Sequence, residues 1–245
     1  MKAMVLAAGL GTRLRPLTDD RPKALVEVAG HTLLELTLAR LRAFGIQDVI
    51  INTHHFADMI AAYLRSHQNF GMHVEISYEE VLLDTGGGLK KAQSFFKDID
   101  EPFLVHNVDV LSTIDFNQML QFHKERNALA TLAVQDRSTS RYLLFDETEQ
   151  LCGRRAGVAG EPELVRKAGT TQALAFCGIH VLSKRIFSVM QEEGAFSIIP
   201  VYLRLAAQNE AVLGYRADRY YWRDLGRTGH IARAAHEIER GDYLI

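Results

Sequence analysis

Residues 7–25, AAGLGTRLRPLTDDRPKAL, follow directly on the apolar run MKAMVL and combine two glycines with several cations. Gly9 and Gly11 carry no Cβ, so backbone N–H groups there can approach an anion closely. Arg13 offers a planar fork that grips phosphate oxygens in pairs. Lys23 is a compact charge that follows Pro22, where the backbone is partly fixed. This chemistry suits a polyphosphate, because each well-placed donor facing developing phosphate charge is worth on the order of 3 kcal/mol. Two familiar phosphate loops are absent. GLGTRLRP lacks the pattern GxxxxGK[ST], and Leu14 stands where GxGxxG demands its third glycine. The residues alone leave two readings open, a phosphate cradle or a tight turn.

A phosphate-binding loop belongs at the carboxyl end of a strand in an α/β sheet, and the hydrophobic pattern provides that setting. AMVLAA (3–8), DVIINT (48–53), HVEISY (73–78) and FLVHNVDV (103–110) read as strands. Between them, Leu34, Leu38 and Leu41 share one helical face in a stretch that Gly45 ends, and Phe56, Met59, Ile60, Tyr63 and Leu64 share another. Gly86–Gly88 open a helix running toward Phe96, and Phe116, Met119 and Leu120 mark the next. Such alternation with continuously apolar strands predicts an α/β fold with a mixed, mainly parallel sheet covered by helices on both faces. In the second half, residues 128–134, 142–147, 173–183, 211–217 and 220–226 read as strands. Helices are expected around Ile199–Ala206 and Ile231–Ile238, and the polar, glycine-containing stretch 148–172 reads as a loop or small excursion. Without repeats or a linker, residues 1–245 are expected to form one domain.

Bulk composition narrows the function classes. Apolar residues are 47 % and charged residues 24 % of the chain, with a net charge of −2, so neither nucleic acid nor an anionic membrane is an expected partner. Cys152 and Cys177 form no CxxC pair and read as two reduced thiols. The N-terminus turns charged too soon for a secretory leader, and no stretch approaches the ~18–20 apolar residues of a membrane span. A cytoplasmic location is expected.

The long stretch LAAGLGTRLRPLTDDRPKALVEVAGHTLLE resembles the N-terminal signature of the sugar-1-phosphate nucleotidylyltransferases, or NDP-sugar pyrophosphorylases. LLDTGGGLKKA, FLVHNVDV, FCGIHVLS and YWRDLGR continue the likeness in family order across nearly the whole chain. The resemblance implies a Rossmann-like nucleotide-diphospho-sugar transferase domain and the reaction NTP + sugar 1-phosphate → NDP-sugar + pyrophosphate. It implies that the backbone of Leu6, Ala7, Ala8 and Gly9 lies against base and ribose. Gly11, Thr12 and Arg13 would hold the departing phosphates, and Lys23 would bridge the attacking and α-phosphates. Glu79 would face the base, favouring an imide N–H such as that of uracil, thymine or guanine. Thr85 and Gly86 would close over the nucleotide, Asn107 and Gly178 would adjoin the sugar, and Asp109 with Asp224 would hold Mg²⁺.

Departures from the family pattern are few. Val108 replaces the glycine before the metal aspartate, Arg227 stands where threonine is common after DxG, and no clear EKP motif is present. Arg15 and Arg21 read as solvated charges, His54–His55 as structural or rim residues, and Trp222 as core. UTP with an N-acetylated sugar 1-phosphate is the first substrate expectation, and GTP with mannose 1-phosphate the second. A non-catalytic NDP-sugar-binding regulator and a related glycosyltransferase are the competing classes, although the latter would commonly carry DxD where this chain has Asp109-Val110-Leu111. The oligomeric state is left open.

Overall fold

The structure, a computed structural model, describes residues 1–241 and 243. Its strands in chain order are β1 (Lys2–Leu6), β2 (Glu27–Val28), β3 (His31–Thr32), β4 (Asp48–Thr53), β5 (His73–Tyr78), β6 (Phe103–Asn107) and β7 (Val110–Ser112). These are followed by β8 (Ala130–Gln135), β9 (Arg141–Phe145), β10 (Leu151–Ala156), β11 (Glu163–Leu164), β12 (Gln172–Leu182), β13 (Val212–Arg216) and β14 (Trp222–Asp224). The helices are α1 (Leu33–Ala43), α2 (Ala57–Ser66), α3 (Asp84–Lys91), α4 (Phe116–Glu125), α5 (Ile186–Val189), α6 (Ile198–Ala207) and α7 (Thr228–Glu239).

The main sheet runs β11-β10-β9-β12-β6-β1-β4-β5, with β8 against β12 and β13 against β8. Its heart, β6-β1-β4-β5, is parallel. Leu6 pairs with both Asn52 and Asn107, so the carboxyl ends of β1, β4 and β6 lie level. Along β1, Ala3 and Val5 enter one core layer and Met4 the other. A strand buried on both faces has no polar side, which is why it reads as an unbroken apolar run. Leu34, Leu38 and Leu41 of α1, Ile60 of α2, Met119 of α4 and Ile231 of α7 cover one face. Leu89 of α3 and Ile198, Val201 and Tyr202 of α6 cover the other. Among the described residues no helix is long and apolar enough to cross a membrane.

Two segments depart from the sequence expectation. The strand expected over 103–110 breaks after Asn107; Val108 N still donates to Leu6 O at 3.1 Å, but the chain then leaves the sheet and pairs as β7 with β14. The stretch 148–172 is not merely a loop, since β10 and β11 extend the sheet beyond β9. Only Leu151, Cys152 and Gly153 of β10 are buried before Arg154, too short an apolar signal to register as a strand.

The triple glycine of α3 is a packing device. The N–H groups of Gly86 and Gly87 both donate to Phe196 O, at 2.9 and 3.2 Å, joining α3 to the segment before α6. A Cβ on Gly87 would sit 2.3 Å from Gly194 O, a backbone atom that cannot swing aside. Gly87→Ala is therefore expected to cost about 2–3 kcal/mol and to lower the thermal midpoint by roughly 5–10 °C in scanning calorimetry.

Candidate functional site

The loop after β1 is held by a few anchors. Gly11 adopts φ +65, and a Cβ there would meet Thr18 Cγ2 at 2.9 Å and Lys23 Cβ at 3.2 Å, so the turn demands glycine. Gly11 O accepts from Leu14 N at 2.8 Å and from Thr18 Oγ1 at 2.9 Å. Leu14, Pro22, Ala24 and Leu25 are buried, while Thr12 and Arg13 remain exposed on the same turn. Anchored apolar residues thus project polar ones into a cleft of about 280 Å³. Gly9, Leu10, Gly11, Thr12, Arg13, Lys23, Leu82 and Gly226 line it. Arg15 pairs with Asp19 and Arg21 with Asp20 at the surface, outside this lining.

The two distant aspartates meet here through β7 and β14. These strands pair antiparallel with Asp224 opposite Val110, and Leu225 N donates to Asp109 O at 2.8 Å. His230, in the first turn of α7, holds Asp224 O through Nδ1 at 2.7 Å. A Cβ placed on Gly226 would lie 2.6 Å from Asp224 Oδ1, 3.1 Å from Arg13 Nη2 and 3.5 Å from Asp109 Oδ2. Both acids and the arginine therefore converge on one point. Lys23 Nζ forms an ion pair with Asp109 Oδ2, its side chain 12 % and the aspartate's 16 % exposed. Two carboxylates beside a phosphate-sized cleft are a hard-oxygen donor set of the kind Mg²⁺ takes, with phosphate and water oxygens completing its shell. The lysine ammonium against Asp109 shows that the position accepts a cation. Gly226→Ala tests this convergence: the new methyl displaces side-chain tips rather than backbone. Activity is expected to fall by about 10–100-fold, with a thermal midpoint within a few degrees of wild type.

Asn107 and Gly178 are also neighbours. Gly178 has φ +74 within β12, and a Cβ there would lie 2.7 Å from Asn107 Nδ2. Trp222 braces the same bend by donating Nε1–H to Cys177 O at 2.8 Å, under the guanidinium of Arg137 3.7 Å above its ring. His106, just before Asn107, donates through Nδ1 to Asn107 O at 2.8 Å, and burial pushes its pKa down to about 4.

Three sequence expectations need correction. Glu79, expected at the base, is not on the cleft surface: its side chain is fully buried, with one oxygen accepting from Asn52 Nδ2 and the other from Leu83 N. Thr85 does not close over the cleft, because its Oγ1 accepts from Ile198 N at 3.0 Å. Gly86 is buried under Phe196, whose ring a Cβ would strike at 2.4 Å. Leu82 is the residue of this segment that reaches the cleft. Sequence reasoning also missed His230 and Asn52; neither stands out without knowing which backbone groups it meets. His54 binds Glu79 O through Nδ1, and among the described residues no group of three or more His, Cys, Asp or Glu is placed to hold a metal.

A mixed sheet with a parallel heart, helices on both faces and a glycine loop at the end of β1 defines a Rossmann-like nucleotidyltransferase fold. Two solved structures share it. HddC from Yersinia pseudotuberculosis, complexed with GMP-PN, aligns with TM-score 0.77 at 20 % identity over 97 % of this chain and 99 % of that one. A Bacillus anthracis protein assigned as a glucose-1-phosphate thymidylyltransferase aligns with TM-score 0.79 at 18 % identity over 96 % and 94 %. The Nucleotidyl transferase family profile matches residues 2–241, and the chain belongs to this family of enzymes. Among curated relatives, the N-acetylmuramate alpha-1-phosphate uridylyltransferase of Caulobacter vibrioides is 38 % identical over 214 residues, covering 84 % of each chain. The mannose-1-phosphate guanylyltransferase of Mycobacterium tuberculosis is 30 % identical over 98 % of this chain and 65 % of its own length. The UTP--glucose-1-phosphate uridylyltransferase of Synechocystis is 36 % identical over 54 % of this chain and 36 % of its own.

Proposed function

We propose that the chain transfers a nucleoside monophosphate from an NTP to a sugar 1-phosphate and releases pyrophosphate. The observation that carries this reading is the convergence of Arg13, Asp109 and Asp224 at Gly226, with Lys23 on Asp109. The preferred substrates are UTP and an N-acetylated sugar 1-phosphate, supported by the likeness to the Caulobacter uridylyltransferase over 84 % of both chains. GTP with mannose 1-phosphate is the second pair, supported by the mycobacterial guanylyltransferase. A non-catalytic sugar-nucleotide sensor is disfavoured because all four charged residues are retained. The 245 residues act as one cytoplasmic domain without nucleic acid or membrane partners.

The residue roles follow from charge and position. Backbone of Leu6, Ala7, Ala8 and Gly9 lies along base and ribose. Gly11, Thr12 and Arg13 grip the β- and γ-phosphates that depart. Lys23 leaves Asp109 for the α-phosphate and the incoming sugar phosphate, holding two anions together against their repulsion. Asp109 and Asp224 hold Mg²⁺, which when bound neutralises charge on the phosphates. The attacking phosphate oxygen is already ionised near pH 7, so the chain supplies no general base. Asn107 and Gly178 border the sugar. A matrix of nucleoside triphosphates and sugar 1-phosphates with Mg²⁺, read as pyrophosphate release, tests the proposal. Release is expected with UTP or GTP, and silence throughout the matrix overturns it.

A further inference from the structure

A buried polar relay ties the two walls of the cleft together. Asn52, near the end of β4, is 2 % exposed; its Oδ1 accepts from Ala7 N at 2.7 Å and its Nδ2 donates to Glu79 Oε1 at 2.8 Å. Glu79 is 0 % exposed, and its second oxygen accepts from Leu83 N at 2.9 Å. The backbone of Glu79 is held as well, with its N–H donating to Thr53 O at 2.7 Å and its carbonyl accepting from His54 Nδ1 at 2.8 Å. There is no slack around the pair: a Cβ on Gly88 would lie 2.6 Å from Glu79 Oε1 and 2.7 Å from Asn52 Nδ2.

The ends of this relay flank cleft-lining residues. Ala7 precedes the glycine turn, and Leu83 follows Leu82. Because Ala7 N needs an acceptor and Glu79 needs a donor, only one orientation of the Asn52 amide serves both. We infer that Asn52 and Glu79 are positioning residues that set the gap between the first-turn backbone and Leu82, and thereby the fit of the nucleotide. This rests on the proposed nucleotide site. It also reassigns the strand-end acid: the buried carboxyl holds the wall, and main-chain groups at the rim are left to meet the base.

Glu79→Gln is the sharpest test, since it keeps shape and replaces one acceptor by a donor. Whichever way the new amide turns, an N–H faces Leu83 N–H or Asn52 Nδ2, and one contact is lost. Binding of UTP and GTP by calorimetry is compared with steady-state kinetics for wild type, Glu79→Gln and Asn52→Leu. The expected result is a nucleotide Kd and KM raised about tenfold or more. The KM for sugar phosphate and kcat should stay within about threefold. A purely structural lesion instead lowers kcat through loss of active protein and leaves both KM values unchanged; that pattern overturns the inference. If the wild type binds nucleotide and Glu79→Gln binds it equally well, the inference falls while the site reading stands. If the wild type binds neither nucleotide, both fall. Should Asn52→Leu fail to fold, Glu79→Gln decides alone.

Discussion

Asp109→Asn is expected to lower kcat for pyrophosphate release by about 10³-fold while the protein still folds. The substitution keeps the side chain's shape and removes its charge. Asp109 lies in the short link between β6 and β7, outside the apolar core, and its backbone carbonyl still receives Leu225 N. What disappears is the countercharge of Lys23 and one of the two carboxylates at Gly226. A lone Asp224 would leave a hard cation with one protein oxygen, and Lys23 without the partner that parks it beside the cleft. The pair is largely buried, with side chains 12 % and 16 % exposed, so leaving Lys23 without its countercharge is expected to lower the thermal midpoint as well, and kcat is compared per folded protein. Raising Mg²⁺ should restore little of the lost rate. Full activity in this variant at the same Mg²⁺ concentration would remove Asp109 from the reacting centre. Circular dichroism on the same sample separates loss of chemistry from loss of fold.

Acid instability is the second large effect. His106, His123 and His180 are buried, and desolvation lowers their pKa values to about 4, about 4 and about 3. At His123 burial and the neighbouring Lys124 charge keep the ring neutral, and its hydrogen bonds show which nitrogen carries the proton. Ser183 Oγ donates to Ala128 O at 2.7 Å, so it receives His123 Nε2–H at 3.0 Å, and Nδ1 is left to accept from Thr131 Oγ1 at 2.9 Å. Since folded values lie below the unfolded value of 6.5, the unfolded chain binds protons first as pH drops. Stability is thus fully present above pH 6.5 and declines through the window from about 6.5 to about 4, where each histidine contributes on the order of 3 kcal/mol. Domains hold only about 5–15 kcal/mol in total, so the three together remove a large share of the stability within that window. Urea midpoints measured from pH 8 to pH 4 should fall steeply below 6.5, and His123→Gln should flatten the slope. A flat profile down to pH 4 would show that these rings are protonated in the native state.

How far the sequence could be read depended on the range of the interaction. The glycine turn was legible because strand, Gly9, Gly11, Arg13 and Lys23 are local, and a strand end in an α/β sheet is where ligands bind. Asp109 and Asp224 carried no joint signal of their own; the likeness to known sugar-phosphate enzymes paired them, and the β7–β14 ribbon brings them together. Glu79 is not legible in the same way, because a strand-end acid gives no hint of its direction. Its fate depends on Asn52 and Leu83, which approach only after β4 and α3 have packed. Gly86–Gly88 read as the opening of a helix, with Gly86 expected over the nucleotide, and their smallness answers to Phe196, Gly194 and the Asn52–Glu79 pair. Likewise β10 hid in a polar stretch because an outer hairpin needs few buried residues.

In the proposed site Arg13, Lys23, Asp109 and Asp224 serve one polyphosphate and one cation. Crystals grown with Mn²⁺ and a non-hydrolysable UTP analogue, with data collected at the manganese absorption edge, test it directly. An anomalous peak is expected in contact with carboxylate oxygens of both Asp109 and Asp224, beside phosphates held by Arg13 and Lys23. A metal bound elsewhere, or phosphates lying away from the Gly11 turn, would contradict it.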